Sequence, residues 1–242
     1  MKSPEQLHHI FSRSDYGQTL DRGIRFADFK PVDIDNQTWV DVLGDDVNNL
    51  RHMPHTHRLA GRFSAAEGLA EEDANTLLVT AMTHDWGEAI EGDIPLPFKT
   101  AEDDRREQAS FRLIAEDLLG KYEGEELSDT VWKVLDKEDE ALGDTFRAIE
   151  YVGYNTTAMR AGYMGRAIAA RLVRLPLDRP TTERLAGGLL GFESAMQTQS
   201  YATLAAYAVK YSGIQTIIQE GVPHKAVEGS IVEIEGGNES RA

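Results

Sequence analysis

Residues 71–91 read EEDANTLLVTAMTHDWGEAIE, and this stretch predicts the clearest helix of the chain. The three acidic residues at its start suit the positive end of a helix dipole. Apolar side chains then recur at helical spacing and form a broad face that runs from Ala74 to Ile90. Gly92 and the proline-containing stretch 95–97 end the pattern. We therefore expect one helix over 71–91 that packs by its apolar face.

Helical periodicity extends through most of the remaining sequence, and an alternating strand pattern is almost absent. Pro54 suits the first turn of a helix that begins at His52. Ser128 is a suitable N-cap for a long helix that ends near Tyr151. Further helical segments are predicted over 103–120, after the glycines 153, 162 and 165 up to about 175, from Thr182 onward and over 201–220. The predicted fold class is all-α.

Composition excludes several classes of protein. The chain has 242 residues, no cysteine and a formal net charge of −16. Disulfides and thiolate metal sites are thereby excluded, and a negative field of this size disfavours binding to duplex nucleic acid. No apolar run approaches the length of about 20 residues that a membrane span needs, and the N-terminus lacks the apolar core of a signal peptide. We expect a cytoplasmic protein with no membrane association.

The adjacent residues His84 and Asp85 lie within the predicted apolar face of 71–91. A lone His-Asp pair at such a position is usually either turned toward water or part of a structural polar network, because an unpartnered buried carboxylate is costly. Here further candidate ligands surround the pair in sequence: His55 upstream, Glu88 and Asp93 shortly downstream, and the acidic stretch 136–140. Imidazole nitrogens and carboxylate oxygens from separate helices suit a divalent cation such as Mn, Co, Mg, Zn or Fe.

Four segments together resemble a known family. They are HTHRLA at 55–60, HDWGE at 84–88, GDIPLPFK at 92–99 and KVLDK at 133–137. This pattern resembles the HD superfamily of metal-dependent phosphohydrolases and is most similar to its 5′-deoxynucleotidase-like branch. The resemblance covers roughly residues 50–155.

The resemblance implies a helical HD-domain bundle with additional C-terminal helices. In that organisation 1–45 is an irregular N-terminal segment that packs on the core, and 46–175 is the phosphohydrolase core. Residues 176–225 are C-terminal helices that complete the core or form a dimer contact, and 226–242 is an acidic tail. A homodimer is expected, because dimers are common in the family.

The resemblance also assigns roles to individual residues. One divalent metal ion is expected on His55, His84, Asp85 and Asp136, with Glu140 as the alternative last ligand. His52 and His57 are interpreted as surface or supporting residues. Glu88 is expected to orient or deprotonate the attacking water, and Asp93 to position water or bind a sugar hydroxyl. The candidate phosphate ligands are Arg51, Arg58, Arg62 and Lys99.

The expected substrate is a nucleotide, most specifically a deoxynucleoside 5′-monophosphate that is hydrolysed to nucleoside and phosphate. Members of the branch often carry an Arg-Trp pair near the N-terminus, and no such pair is present here. Hydrolysis of a dNTP to triphosphate therefore stays open as an alternative. So do a non-catalytic HD-like nucleotide-binding or interaction module and a metal-dependent oxygenase on the same scaffold.

Overall fold

The computed structural model describes residues 2–94, 99–136, 138–214, 217–218 and 232–233, and over these residues the chain is all-α, as predicted. The helices are α1 (Pro4–Ser12), α2 (Asp15–Asp21), α3 (Asn36–Leu43), α4 (His52–Glu67), α5 (Glu71–Thr83), α6 (Glu88–Glu91), α7 (Ala101–Leu119), α8 (Lys121–Leu135), α9 (Glu140–Ala169) and α10 (Arg179–Lys210). Short 3-10 turns lie at Ala27–Phe29 and Asp45–Val47. Strand β1 (Val173–Arg174) pairs in parallel with β2 (Val232–Glu233). Among these helices none is long and apolar enough to cross a membrane.

The helix predicted over 71–91 ends early, at Thr83. A turn follows, and the short helix α6 begins only at Glu88. The turn carries Trp86 into the core, where its indole is fully buried and stacks on Phe11 of α1 with a centroid distance of 4.6 Å. Burial of this large aromatic side chain outweighs the continuation of the helix. His84 and Asp85 are thereby placed at the end of a helix rather than within one.

The long helix predicted from Ser128 to Tyr151 is two helices. α8 begins at Lys121, directly after Gly120, whose φ of 81° lies in the left-handed region that favours glycine. α9 begins at Glu140, and the side chain of Asp139 caps it by accepting a hydrogen bond from the backbone N–H of Leu142 at 3.1 Å. A short break therefore separates the two helices, and α9 packs against α4, α8 and α10.

The expectation that glycines interrupt the helix after 151 is wrong, because α9 continues through all of them. Gly162 and Gly165 lie where α9 packs closely on α10. A Cβ at Gly162 would overlap the Glu193 carboxylate, and one at Gly165 would lie 3.1 Å from the carbonyl oxygen of Ala186. These glycines therefore permit helix contact rather than helix termination. α10 likewise begins before Thr182 and runs as a single helix.

The core between α4, α5 and α9 determines where the site forms. α4 and α5 are joined by a short connection, and buried side chains such as Phe63, Leu77 and Ile149 pack them with α9. Because the two helices run in opposite directions, the start of α4 and the end of α5 meet at the same end of this core. His52 begins α4 and His84 follows α5, so the fold brings these two histidines together.

Gly87 holds α7 close to the turn that follows Asp85, and its replacement tests this packing. A Cβ at Gly87 would lie 2.5 Å from the carbonyl oxygen of Glu107. We expect Gly87→Ala to lower the free energy of unfolding by roughly 1–3 kcal/mol, as other overpacked sites do, and to lower Tm by several degrees. The control is Gly187→Ala on the exposed side of α10, where no heavy atom lies within 4 Å of the added methyl. This control should keep or raise Tm; equal losses in both variants would contradict the close packing at Gly87.

Candidate metal centre

A buried group of potential metal ligands forms where α4 begins and α5 ends. It consists of His52, His84 and Asp85, and one ligand atom from each lies within 4.8 Å of the others. His52 Nε2 lies 3.0 Å from His84 Nε2 and 2.7 Å from Asp85 Oδ2, and His84 Nε2 lies 3.2 Å from Asp85 Oδ1. All three residues are at most 9% exposed. Two imidazoles and a carboxylate in this arrangement suit a divalent cation.

The histidine that α4 contributes to this group is His52, in place of the predicted His55. The two positions are three residues apart on one helix, so they differ in direction by about 60°. His52 is 2% exposed and faces Asp85, whereas His55 lies on the side of Asp46. His57, interpreted as a surface or supporting residue, lies 3.8 Å from Glu5 of α1, away from the group.

The hydrogen bond at His84 Nδ1 directs Nε2 toward the centre of the group. Nδ1 lies 3.1 Å from the backbone carbonyl oxygen of Ala81. A carbonyl oxygen only accepts, so Nδ1 carries a proton, and Nε2 is the nitrogen whose lone pair a cation would use. A second hydrogen bond of this kind is the usual way in which a metal-binding histidine is oriented. The ring also packs edge-on against Phe146 of α9, with a centroid distance of 5.3 Å.

His52 has two neighbours at Nδ1, and they favour different tautomers. Arg25 Nη1 lies 2.6 Å away and can only donate, so beside it Nδ1 is an acceptor and the proton on Nε2 points to Asp85. Thr56 Oγ1 lies 3.1 Å away and can accept the Nδ1 proton instead. Burial and the charge of Arg25 lower the pKa of His52 to about 3, so the ring is neutral at physiological pH. A cation on Nε2 is compatible with the tautomer that Thr56 supports.

The carboxylate from the later helix that lies nearest to this group is Glu150. Its Oε1 is 3.9 Å from His84 Nε2, and it also accepts a hydrogen bond from Tyr154 at 3.4 Å. The predicted last ligands are elsewhere. Asp136 is exposed at the end of α8, where Gln108 of α7 is its neighbour, and Glu140 is exposed in the first turn of α9. Glu150 is a neighbour of the ligand group and not a member of it, and the choice of Asp136 or Glu140 as last ligand stays a prediction.

Further carboxylates surround the group, and their mutual repulsion favours the binding of a positive charge. Burial and the neighbouring carboxylates, Asp85 first among them, raise the pKa of Glu88 well above its ordinary value. Burial also raises the pKa values of Asp93, Glu107 and Glu150. Asp85 behaves differently: burial disfavours its charge, but interactions with His84 and His52 outweigh this and lower its pKa. A bound cation would relieve the repulsion among these groups.

Arg25 is a site residue that the sequence interpretation missed. It donates a hydrogen bond to His52, and its guanidinium lies 5.2 Å from the centre of the Tyr154 ring. Burial disfavours its charge, but interactions with Tyr154 first, and then with Asp85 and Asp93, outweigh this and raise the pKa of Arg25. In the sequence Arg25 is followed by Phe26, and this Arg-aromatic pair in the N-terminal segment was the available signal.

Of the predicted phosphate ligands, Lys99 is the one whose charge interacts with Glu88 and Asp93. It forms an ion pair with Glu107, and this carboxylate raises the pKa of Lys99 despite burial. Arg51 pairs instead with Asp21 and Asp45 at the exposed start of α4. Arg58 and Arg62 are exposed on α4.

Part of the sequence pattern lies outside the described residues. This is true of 95–98 in the GDIPLPFK segment, of Lys137 in KVLDK, and of 215–216, 219–231 and 234–242 in the C-terminal region, including most of the acidic tail. Gly92 and Asp93 are described; Gly92 has a φ of 82° and ends α6, and Asp93 is exposed at the edge of the site.

The raised pKa of Glu88 predicts a pH dependence of folding in the absence of metal. A carboxyl group whose pKa is raised by folding contributes stability below its unfolded pKa of about 4.5, and loses it as pH rises through the folded value. We therefore expect Glu88→Gln to gain in Tm relative to wild type as pH rises above 4.5, with chelator present throughout. The comparison is a series of thermal melts from pH 4.5 to 8. A difference between the two proteins that does not change with pH would contradict the assignment.

Comparison with protein-family models, with curated proteins and with solved structures finds no match for this chain. The contacts and charges described above are therefore the basis for a functional proposal.

Proposed function

We propose that this chain is a metal-dependent phosphohydrolase that releases phosphate from a nucleoside 5′-monophosphate, with deoxynucleotides as the preferred class. The observation that carries the proposal is the convergence of His52, His84 and Asp85 on one point, with Glu88 at its edge. The HD-type sequence pattern around His84 supports the same chemistry.

The residues present fit a divalent cation. His52, His84 and Asp85 would hold it, and Glu150 is the nearest further carboxylate. The fit rests on the neutral imidazole of His52, on the carbonyl that orients His84, and on the excess of carboxylates around the group. Such a cation lowers the pKa of bound water and offsets charge on a phosphoryl oxygen.

Glu88 supplies the general base in this proposal. It begins α6 directly after the turn that carries the ligands, and its charge interacts with that of Asp85. A carboxylate in such a position can orient an attacking water and accept its proton. Gly87 supports this placement, since it allows α6 to lie against Glu107 of α7.

Arg25 supplies the positive charge for the phosphoryl group. Its guanidinium is half-buried beside the ligands, and a fork of N–H donors suits phosphate oxygens. Its contact with His52 Nδ1 also influences which ring nitrogen of this proposed metal ligand carries the proton. Lys99 is a second cation near Glu88.

The test is a substrate panel with the purified chain loaded with Mn or Co. We expect phosphate release from nucleoside 5′-monophosphates, at higher kcat/KM for deoxynucleotides than for ribonucleotides. Release of triphosphate from dNTPs alone would favour the triphosphohydrolase alternative. Metal binding without hydrolysis of any nucleotide would contradict an enzymatic role and favour a nucleotide-binding module.

A further inference from the structure

A narrow pocket lies beside the ligand group, between α4, α9 and the turn at Asp45–Val47. Its cavity volume is about 10 Å³, close to what one water molecule needs. At one end it is lined by His52 and Glu150, and at the other by Asp46, His55 and Thr157. The pocket therefore connects the proposed metal site to a second polar cluster that the proposed chemistry does not use.

Asp46 is the negatively charged residue of this second cluster. It is 5% exposed and accepts hydrogen bonds from Thr157 Oγ1 at 2.6 Å and from Arg160 Nη1 at 2.5 Å. Burial disfavours its charge, but attraction by Arg160 and His55 outweighs this and lowers the pKa of Asp46. A charged carboxylate at this end of the pocket repels a phosphate and accepts hydrogen bonds from neutral donors.

His55 presents an unused polar atom to the same pocket. Its Nε2 is buried and has no hydrogen-bond partner within the part of the chain that the structure describes. An unpaired buried polar atom costs on the order of 1–3 kcal/mol, so such atoms are usually paired in the functional state. Burial lowers the pKa of His55, and the neutral ring can donate or accept at Nε2 depending on its tautomer.

We propose that this pocket receives a hydroxyl group of the substrate's sugar, with His55 Nε2 as its hydrogen-bond partner and Asp46 beside it. The inference rests on the proposed function, since it places the leaving group next to the ligands. A hydroxyl both donates and accepts, which matches a neutral imidazole next to a carboxylate. The cavity has room for about one group of the size of a water molecule, so it suits a single hydroxyl rather than a nucleobase.

The experiment measures binding of nucleosides, which lack phosphate and need no catalysis. 2′-Deoxyadenosine and 2′,3′-dideoxyadenosine are titrated into the Mn-loaded chain, as wild type and as His55→Ala. Wild type should bind the deoxynucleoside about tenfold more tightly than the dideoxynucleoside, which corresponds to one hydrogen bond. His55→Ala should bind both with similar, weak affinity. His55→Gln, whose amide can also donate and accept, should recover part of the preference.

Two controls separate this role from others. His57→Ala, on the same helix but facing α1, should retain the preference of wild type. His55→Ala should keep its Mn, whereas His52→Ala should lose it. Loss of Mn from His55→Ala would overturn the inference and restore His55 as a metal ligand.

The remaining outcomes also decide the matter. Equal binding of the two nucleosides by wild type, or no binding at millimolar concentration, would overturn the inference. An unchanged preference in His55→Ala would overturn it as well. If the hydroxyl preference depends on His55 but no nucleotide is hydrolysed, the pocket assignment holds and the proposed catalytic function fails.

Discussion

Replacement of Asp85 by Asn is expected to abolish metal binding and, with it, phosphate release. The carboxylates that surround the ligand group have raised pKa values, whereas the pKa of Asp85 is lowered. Asp85 is therefore the negative charge beside the two imidazoles. Asn keeps the shape of the side chain but removes that charge. Changes to residues that only orient metal ligands typically reduce metal affinity 10–100-fold, and loss of a ligand should exceed about 100-fold.

The measurement is Mn affinity by calorimetry, with circular dichroism to show that the helices are intact. Asp136→Asn is the matched control, because it makes the same change at the exposed end of α8. It should bind Mn as wild type does. If Asp136→Asn loses the metal while Asp85→Asn keeps it, the ligand group assigned to the structure is wrong.

Glu88→Gln is expected to retain the metal but to lower kcat by a factor of about 10²–10⁴, the usual contribution of a general base. Gln can still hydrogen-bond a water molecule, but it cannot accept a proton from it. KM should change little, since the substrate contacts proposed here come from Arg25 and the pocket at His55. Steady-state kinetics with a deoxynucleoside monophosphate, together with Mn titration, measure both effects.

The control for this prediction is Glu91→Gln at the other end of α6. Glu91 pairs with Arg106 and accepts a hydrogen bond from Ser110 of α7, away from the ligand group. Its kcat should remain within a few-fold of wild type. A Glu88→Gln enzyme with normal kcat would show that the proton is taken up by another group.

Local sequence patterns were enough to predict the fold class and one part of the candidate site. Helical periodicity is a local property, so it predicted α-helices correctly even where their ends were wrong. His84, Asp85 and Glu88 also lie close together in any fold, because they are within four residues of each other in the sequence. Periodicity did not predict the turn after Thr83, because that turn depends on Trp86 stacking on Phe11 of another helix.

Packing between elements that are distant in sequence selects the other residues of the candidate site. Three histidines lie near the start of α4, and their direction depends on how the helix is rotated against α5 and α9; packing turns His52 inward. Glu150 reaches the site because a break before α9 and its close contact with α10 set the path of that helix. Arg25 arrives from a separate N-terminal segment. These contacts arise from packing between elements far apart in sequence, which local patterns do not specify.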